Sequence, residues 1–217
     1  SYAVGDKEYM LTLIYQGARL SFYMLLLLSL PILVNTHYIL ELWLKTVPEH
    51  TAFFVQLVLI FALSESISQP LITAMLATGK IRNYQIIVGG LQMLNLPISY
   101  ILLRLGFFPE SVIIVAICIS QCCLAARLIM LRGMISISIR NYLQKVYFNI
   151  ITVGIAAFIL PFISAQYITE SFISFIVISL IAVICTIISI YFIGCNHQER
   201  LFILQKLSTI KAKINNK

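Results

Sequence analysis

The sequence predicts an all-α, polytopic membrane protein: a bundle of six transmembrane helices followed by an interfacial helix at the C-terminus. Of its 217 residues, 60% are hydrophobic and only 11% are charged, and the mean hydropathy is +0.98. The apolar residues fall into six stretches of about 20 residues, the length that a helix needs to cross a hydrocarbon core of about 30 Å. The predicted spans are residues 20–42, 53–75, 84–103, 112–130, 147–162 and 172–193, of which the fifth is the shortest.

A soluble helical protein is the competing fold, and the absence of polar faces on these stretches disfavours it. A chain of 217 residues cannot hide six helices that are apolar all round from water. Helices are expected rather than strands, despite many Ile and Val residues, because backbone polar groups in lipid must pair within their own segment.

The orientation follows from the loops, because Lys and Arg are retained on the cytoplasmic side of a membrane. With the N-terminal segment inside, thirteen of the fifteen basic residues fall on the cytoplasmic side, and only Lys45 and Arg104 fall on the other. The thirteen are Lys7, Arg19, Lys80, Arg82, Arg127, Arg132, Arg140, Lys145, Arg200, Lys206, Lys211, Lys213 and Lys217. The net charge of +7 therefore indicates topology and contact with anionic lipid, not binding of nucleic acid.

Two parts are expected along the chain: a six-span bundle over residues 1–194 and a basic cytoplasmic tail over residues 195–217. Within the tail, apolar residues recur at helical spacing, which favours a helix lying on the membrane surface over a frayed end. These residues are Leu201, Leu204, Leu207, Ile210 and Ile214. Because the chain opens on Ser1 and a polar segment, we expect a fragment of a longer transporter rather than a signal peptide.

No motif of the chain predicts an enzyme, a metal or a cofactor. Cys118 and Cys122 share a helix face, as do His37 and Glu41, but neither pair has the neighbours that would complete a four-ligand site. Phosphate-binding glycine loops and hydrolase signatures are absent from the sequence. An intramembrane lipid-modifying enzyme stays open as a minor alternative.

Glu65 is the charged residue expected in the middle of a span, with Ser64, Ser68 and Gln69 around it and Pro70 after it. An ionised carboxylate at mid-bilayer is costly, so Glu65 must face a bundle interior, a water-filled cavity or a partner, or stay protonated. Two interpretations follow: a coupling site for a proton or cation, or a packing device that hydrogen-bonds a neighbouring helix. Arg127, close to the end of the predicted fourth span, is assigned to the cytoplasmic side, so the charge expected deep inside a span is acidic.

Other polar residues inside the predicted spans are Asn95, Gln121 and Asn149, which we expect to hydrogen-bond between helices. Pro70 and Pro97 remove backbone hydrogen bonds within the second and third spans, which makes both candidate hinges. Trp43 is expected to anchor the outer end of the first span at the membrane interface.

Several segments together resemble the mid-to-C-terminal part of bacterial polysaccharide flippases. Residues 2–6 lead into Ala18-Arg19 and a Leu-rich span with Pro31, followed by residues 39–44 and Val47-Pro48. Residues 68–71 and 77–85 resemble the family's junction between a span and a cytoplasmic loop, and residues 95–100 resemble the turn in its next helix. The likeness covers about residues 2–100. These flippases belong to the multidrug, oligosaccharidyl-lipid and polysaccharide exporter superfamily.

The resemblance implies a transporter of the bacterial inner membrane, with a fold like that of the superfamily's multidrug exporters. It would move an undecaprenyl-diphosphate-linked oligosaccharide to the periplasmic leaflet by alternating access, for lipopolysaccharide or capsule assembly. Membrane lipids and proteins of polysaccharide polymerisation and assembly are the implied partners. An exporter of drugs or of another lipid, coupled to a cation, is the alternative within the same superfamily.

Overall fold

A computed structural model gives the fold, and it describes residues 7–167, 171–196, 199–201 and 205. Six helical segments of this part are long and apolar enough to cross a membrane. We call them the first to sixth spans: Lys7–Val34, Thr51–Ala77, Ile81–Arg104, Ser111–Ile135, Ile139–Tyr167 and Phe172–Gly194. A short helix, Thr36–Leu44, follows the first span, and the described residues contain no β-strand. The predicted multi-pass helical architecture is confirmed.

The boundaries of two spans differ from those predicted. The helix of the first span begins at Lys7, well before the predicted start at residue 20, because Met10, Ile14 and Ala18 are buried against the rest of the bundle and extend the helix beyond the apolar stretch. The fifth span is longer than predicted, since a helix from Ile139 runs through a π-helical stretch, Leu143–Phe148, into Asn149–Tyr167. The loop predicted over residues 133–145 is therefore short. The sixth span also ends in a π-helical stretch, Ile190–Gly194.

The second and third spans are interrupted where proline was predicted to disturb them. The second span consists of Thr51–Ser66 and Gln69–Ala77, and Pro70 lies in the first turn of the latter helix. The third span consists of Ile81–Met93 and Asn95–Arg104, with Pro97 just after the break. Proline lacks the N–H that would continue the helix and crowds the preceding turn, which accounts for both breaks. Movement at these positions remains a prediction.

The first span lies between two groups of helices. The fourth span packs on the second and third, the fifth and sixth pack on each other, and the first contacts the second, fifth and sixth. Close packing is possible because the first span presents small residues: Ala18 is fully buried, and a side chain at Gly17 would meet the ring of Pro70 at 3.2 Å. Many large apolar side chains face outward instead, as expected for helices solvated by lipid.

Contacts between loops divide the bundle into two ends. At one end, the Nδ1 atom of His50 lies 2.5 Å from Oε1 of Glu110, which joins the loop before the second span to the loop before the fourth. At the other end, the Thr78 hydroxyl lies 3.6 Å from the sulfur of Met134. This arrangement matches the predicted alternation of loops.

We predict that residues 79–83 and 133–145 face the cytoplasm, while residues 45–50 and 106–110 face outward, because basic residues concentrate at the former end. Single cysteines at Asn83 and Pro48, in a cysteine-free background, test this with an impermeant thiol reagent on intact cells. Labelling is expected at Pro48 and not at Asn83. Labelling at Asn83 and not at Pro48 would show that the topology is the reverse of the one predicted.

The predicted interfacial helix over residues 195–217 lies mostly outside the described residues. Glu199, Arg200 and Leu201 are helical, as is Gln205. Its orientation on a membrane surface stays a prediction.

Candidate functional site

Five polar side chains from three spans form one hydrogen-bonded chain inside the bundle. Tyr147 of the fifth span donates to Oε1 of Gln121 on the fourth, and Nε2 of Gln121 donates to the hydroxyl of Ser64 on the second. The Ser64 and Ser120 hydroxyls lie 3.5 Å apart, and Ser120 donates to Oε1 of Glu65. We call these residues the polar chain. They connect Glu65 to a tyrosine on a helix that is distant in sequence.

Adjacent positions on each helix create this arrangement. Ser64 and Glu65 are neighbours on the second span, as are Ser120 and Gln121 on the fourth, and neighbouring residues of a helix project about 100° apart. The two side chains of each pair can therefore contact groups on two different sides of their helix. Interhelical hydrogen bonds of this kind contribute about 0.6 kcal/mol on average in a membrane, and at most about 1.7 kcal/mol. Such modest energies mean that each single hydrogen bond of this kind is easily exchanged for another.

An open groove of about 800 Å³ lies beside the polar chain, between the first, second, fourth and fifth spans. Its walls are almost entirely apolar, formed by Leu, Ile and Phe side chains. Ser64, Gln121 and Tyr147 of the polar chain line it, whereas Ser120 is buried behind them. The polar chain therefore leads from the groove wall to Glu65. We call this feature the amphipathic groove, and its volume is within the range of small-molecule sites.

The structure brings together three of the predicted intramembrane residues, Glu65, Ser64 and Gln121. The other three lie elsewhere: the buried Ser68 hydroxyl has no partner among the described residues, Gln69 is exposed, and the Asn95 side chain accepts from Ser99 of its own helix. Within the described part of the chain, Asn95 therefore forms a hydrogen bond inside its own helix and not the expected one to another helix, because the one-turn spacing to Ser99 supplies a local donor. The role of each residue in transport stays a prediction.

Tyr147 completes the polar chain, and the sequence analysis missed it. It stands at the start of the predicted fifth span, where tyrosine is typical of the membrane interface. The helix of the fifth span begins at Ile139 instead, which places Tyr147 about two turns inside it, where it lines the groove. Another tyrosine, Tyr142, is buried and donates its hydroxyl to the Ile67 carbonyl at 3.2 Å, where the break of the second span leaves that acceptor free.

Arg127 contradicts the expectation that the charge deep inside a span is acidic. It had been assigned to the cytoplasmic end of the fourth span, but its side chain is 2% exposed within Ser111–Ile135. Its Nε and Nη1 atoms have no hydrogen-bond partner among the described residues. Arg127 follows Ser120 by two helical turns, about 10 Å along the axis, and so lies on the same face of the fourth span. The Cys123 thiol lies near the ionisable side chains of both Arg127 and Glu65.

Arg19, also predicted at the cytoplasmic flank, is instead buried in an ion pair at the end of the sixth span. Its Nη2 lies 2.6 Å from Oε1 of Glu199, and its Nη1 donates to the Gly194 carbonyl at 3.1 Å. Asn149 donates to the next carbonyl back, that of Ile193, and hydrogen-bonds Tyr23. Cationic and amide donors at the last carbonyls stabilise a helix C-terminus. We interpret this cluster as a structural contact that joins the end of the sixth span to the first and fifth spans.

Two further features of the same end support that interpretation. A side chain at Gly194 would approach the Tyr23 ring to 2.9 Å, so the sixth and first spans meet there without room for a larger residue. Burial raises the pKa of the neighbouring Cys195 thiol, which keeps it protonated at neutral pH. The predicted interhelical role of Asn149 is confirmed by its hydrogen bonds to Tyr23 and to the Ile193 carbonyl.

At the end of the bundle that contains the loop before the second span, Glu110 is buried and pairs with His50, and His37 lies 3.5 Å from Glu41 on the same helix face, as the sequence predicted. Trp43, predicted as an interfacial anchor, is 82% exposed. Among the described residues, no three His, Cys, Asp or Glu side chains come together as metal ligands. The five cysteines are free thiols.

Comparisons of the chain with protein-family models, curated proteins and solved structures found no match. The fold and the geometry of the site therefore carry the functional argument, together with the resemblance seen in the sequence.

Proposed function

We propose that this chain is part of a membrane transporter that moves a polyprenyl-diphosphate-linked oligosaccharide across the bacterial inner membrane. The amphipathic groove is the observation that carries the proposal. A substrate of this class has a long hydrocarbon chain and a strongly polar head, and the groove offers an apolar wall of Leu, Ile and Phe beside the hydroxyl and amide groups of the polar chain.

The two parts of the groove suit the two parts of such a substrate. Phe158, Ile155 and Ile159 of the fifth span give it an apolar wall that a polyprenyl chain can pack against. Ser64, Gln121 and Tyr147 supply donors and acceptors suited to saccharide hydroxyl groups, which a purely apolar groove could not satisfy. The resemblance to polysaccharide flippases supports this substrate class over a fatty-acyl lipid.

Alternating access needs bends in otherwise rigid helices, and the breaks near Pro70 and Pro97 provide them. The break in the second span lies at residues 67–68, just after Glu65, so a change at that break can move Ser64 and Glu65 together relative to the rest of the polar chain on the fourth and fifth spans. Discontinuous spans next to polar residues are a recurring feature of secondary transporters.

A cation-coupled exporter of drugs or of another lipid is the second candidate, and Glu65 favours it. An acidic side chain in the middle of a span can exchange a proton or bind a cation during each cycle. The two candidates differ in substrate, and both assign Glu65 the same coupling role. No observation favours an intramembrane enzyme.

Filling the groove tests the proposal. An ideal Cβ at Gly154, which lines the groove, meets nothing within 4 Å, so Gly154→Phe should place a ring in the groove without disturbing the fold. Surface-polysaccharide assembly in cells that depend on the variant is expected to fall about tenfold or more, since a small loss of substrate binding of about 1.4 kcal/mol is enough.

Gly90→Phe is the matched control, because Gly90 is exposed on the third span, has equally open space and does not line the groove. Cells that depend on Gly90→Phe should assemble normal amounts of polysaccharide at equal protein level. Normal assembly by Gly154→Phe would contradict the proposal, and a matching loss of ethidium efflux would favour the drug exporter.

A further inference from the structure

A pocket of about 740 Å³ lined by basic, hydroxyl and apolar side chains lies at the short loop between the fourth and fifth spans. It is lined by Arg132 and Arg140, by Ser136 and Ser138, and by Ile137 and Ile139 between them. We call it the loop pocket. It lies at the end of the bundle opposite the His50–Glu110 pair, away from the amphipathic groove.

The two arginines of the loop pocket are available to a ligand. Both are exposed, and neither forms an ion pair with a described acidic residue. Arg132 lies in the last turn of the fourth span and Arg140 in the first turn of the fifth, so the loop at residues 136–138 has a positive charge on either side of one opening.

The loop itself is held in a specific shape. Ile137 is 1% exposed and fixes the turn against the core, and the Ser138 hydroxyl accepts from the Asn141 N–H at 3.3 Å. Ser136 has a φ of 58°, a left-handed conformation that costs energy for a residue other than glycine. The loop therefore forms a fixed opening in which the serine hydroxyl groups lie between two guanidinium groups.

We propose that the loop pocket binds the headgroup of an anionic phospholipid. A phosphodiester between Arg132 and Arg140 would receive charge-assisted hydrogen bonds from both sides and further donors from the serine hydroxyls. The exposed apolar side chains of the adjoining helices continue from the pocket along the bundle, where acyl chains would lie. Basic pockets between spans at a membrane surface are typical sites for such headgroups.

The test uses the purified full chain in detergent, titrated with phosphatidylglycerol or with zwitterionic phosphatidylcholine, and native mass spectrometry to count retained lipids. The wild type should retain phosphatidylglycerol preferentially. Arg132→Gln with Arg140→Gln should weaken that retention about thirtyfold, from the loss of two surface charges. Arg132→Lys with Arg140→Lys, which keeps both charges, should retain most of it.

Arg104→Gln is the control, because Arg104 is an exposed arginine near the opposite end that bonds the Tyr100 hydroxyl. It should bind phosphatidylglycerol as the wild type does. The proposal would be overturned if the double Gln variant retained phosphatidylglycerol as well as the wild type does, or if Arg104→Gln or the double Lys variant lost as much of it as the double Gln variant. Displacement of the lipid by inorganic phosphate would also overturn it. Thermal unfolding without added lipid verifies that the double Gln variant is folded.

Discussion

Arg127→Met should make the bundle more stable while lowering transport. The Arg127 guanidinium is buried, and its Nε and Nη1 atoms have no partner among the described residues. Replacing a buried charge by an apolar side chain of similar length removes a large desolvation cost, and gains of about 1–4 kcal/mol are typical for such changes. Thermal unfolding in detergent measures the effect.

A buried charged residue that lowers stability indicates a functional role, because functional sites are often less stable than the same fold would be without them. We therefore expect transport by Arg127→Met to fall about tenfold or more at normal protein level, equivalent to about 1.4 kcal/mol. Arg132→Met is the control on the same helix, exposed to its surroundings, and should leave the stability within about 0.5 kcal/mol. A large loss of stability in Arg127→Met would show that the guanidinium has a stabilising partner.

Glu65→Gln should leave the protein folded and abolish coupled transport. The side-chain carbonyl of Gln can still accept the hydrogen bond that Ser120 donates, so the polar chain persists while the charge and the exchangeable proton are lost. If Glu65 carries the coupling proton, the variant resembles the protonated state permanently. Transport should fail or lose its dependence on pH.

The packing interpretation of Glu65 predicts the opposite, since a nearly isosteric amide would satisfy the same neighbour. Ser120→Ala separates the two interpretations: it removes the donor to Glu65 and keeps the carboxyl group, so it should cost about 1 kcal/mol of stability and retain coupling. The measurement is polysaccharide assembly across a range of pH together with protein level. A fully active Glu65→Gln variant at every pH would leave Glu65 as interhelical packing.

The helices were predictable because the membrane imposes one dominant signal. Length and hydropathy identified six spans, and the lack of an N–H at Pro70 and Pro97 identified where two of them break. Span ends were less predictable, since Lys7 and Ile139 begin helices that protein contacts extend beyond the apolar core. Arg19 and Arg127 were misplaced for the same reason: a basic residue near a span end is typical of a cytoplasmic flank, and only tertiary packing buries it.

The polar chain was predictable in part. Glu65, Ser64 and Gln121 are conspicuous because polar side chains inside apolar spans need partners. Which helices supply those partners depends on how the spans pack side by side, and a single sequence carries no signal for that register. Tyr147 was missed on this account, and the groove, formed by four spans, could not be inferred from any one of them.

Photocrosslinking in the amphipathic groove tests the central claim most directly. A photoreactive residue at Phe158, on the groove wall, should form an adduct with a polyprenyl-diphosphate-linked disaccharide that free lipid-linked saccharide displaces. The same residue at Phe172, exposed at the beginning of the sixth span and outside the groove, is the control and should give only adducts with bulk phospholipid. Equal labelling at both positions, or an adduct at Phe158 that excess lipid-linked saccharide fails to displace, would contradict the account.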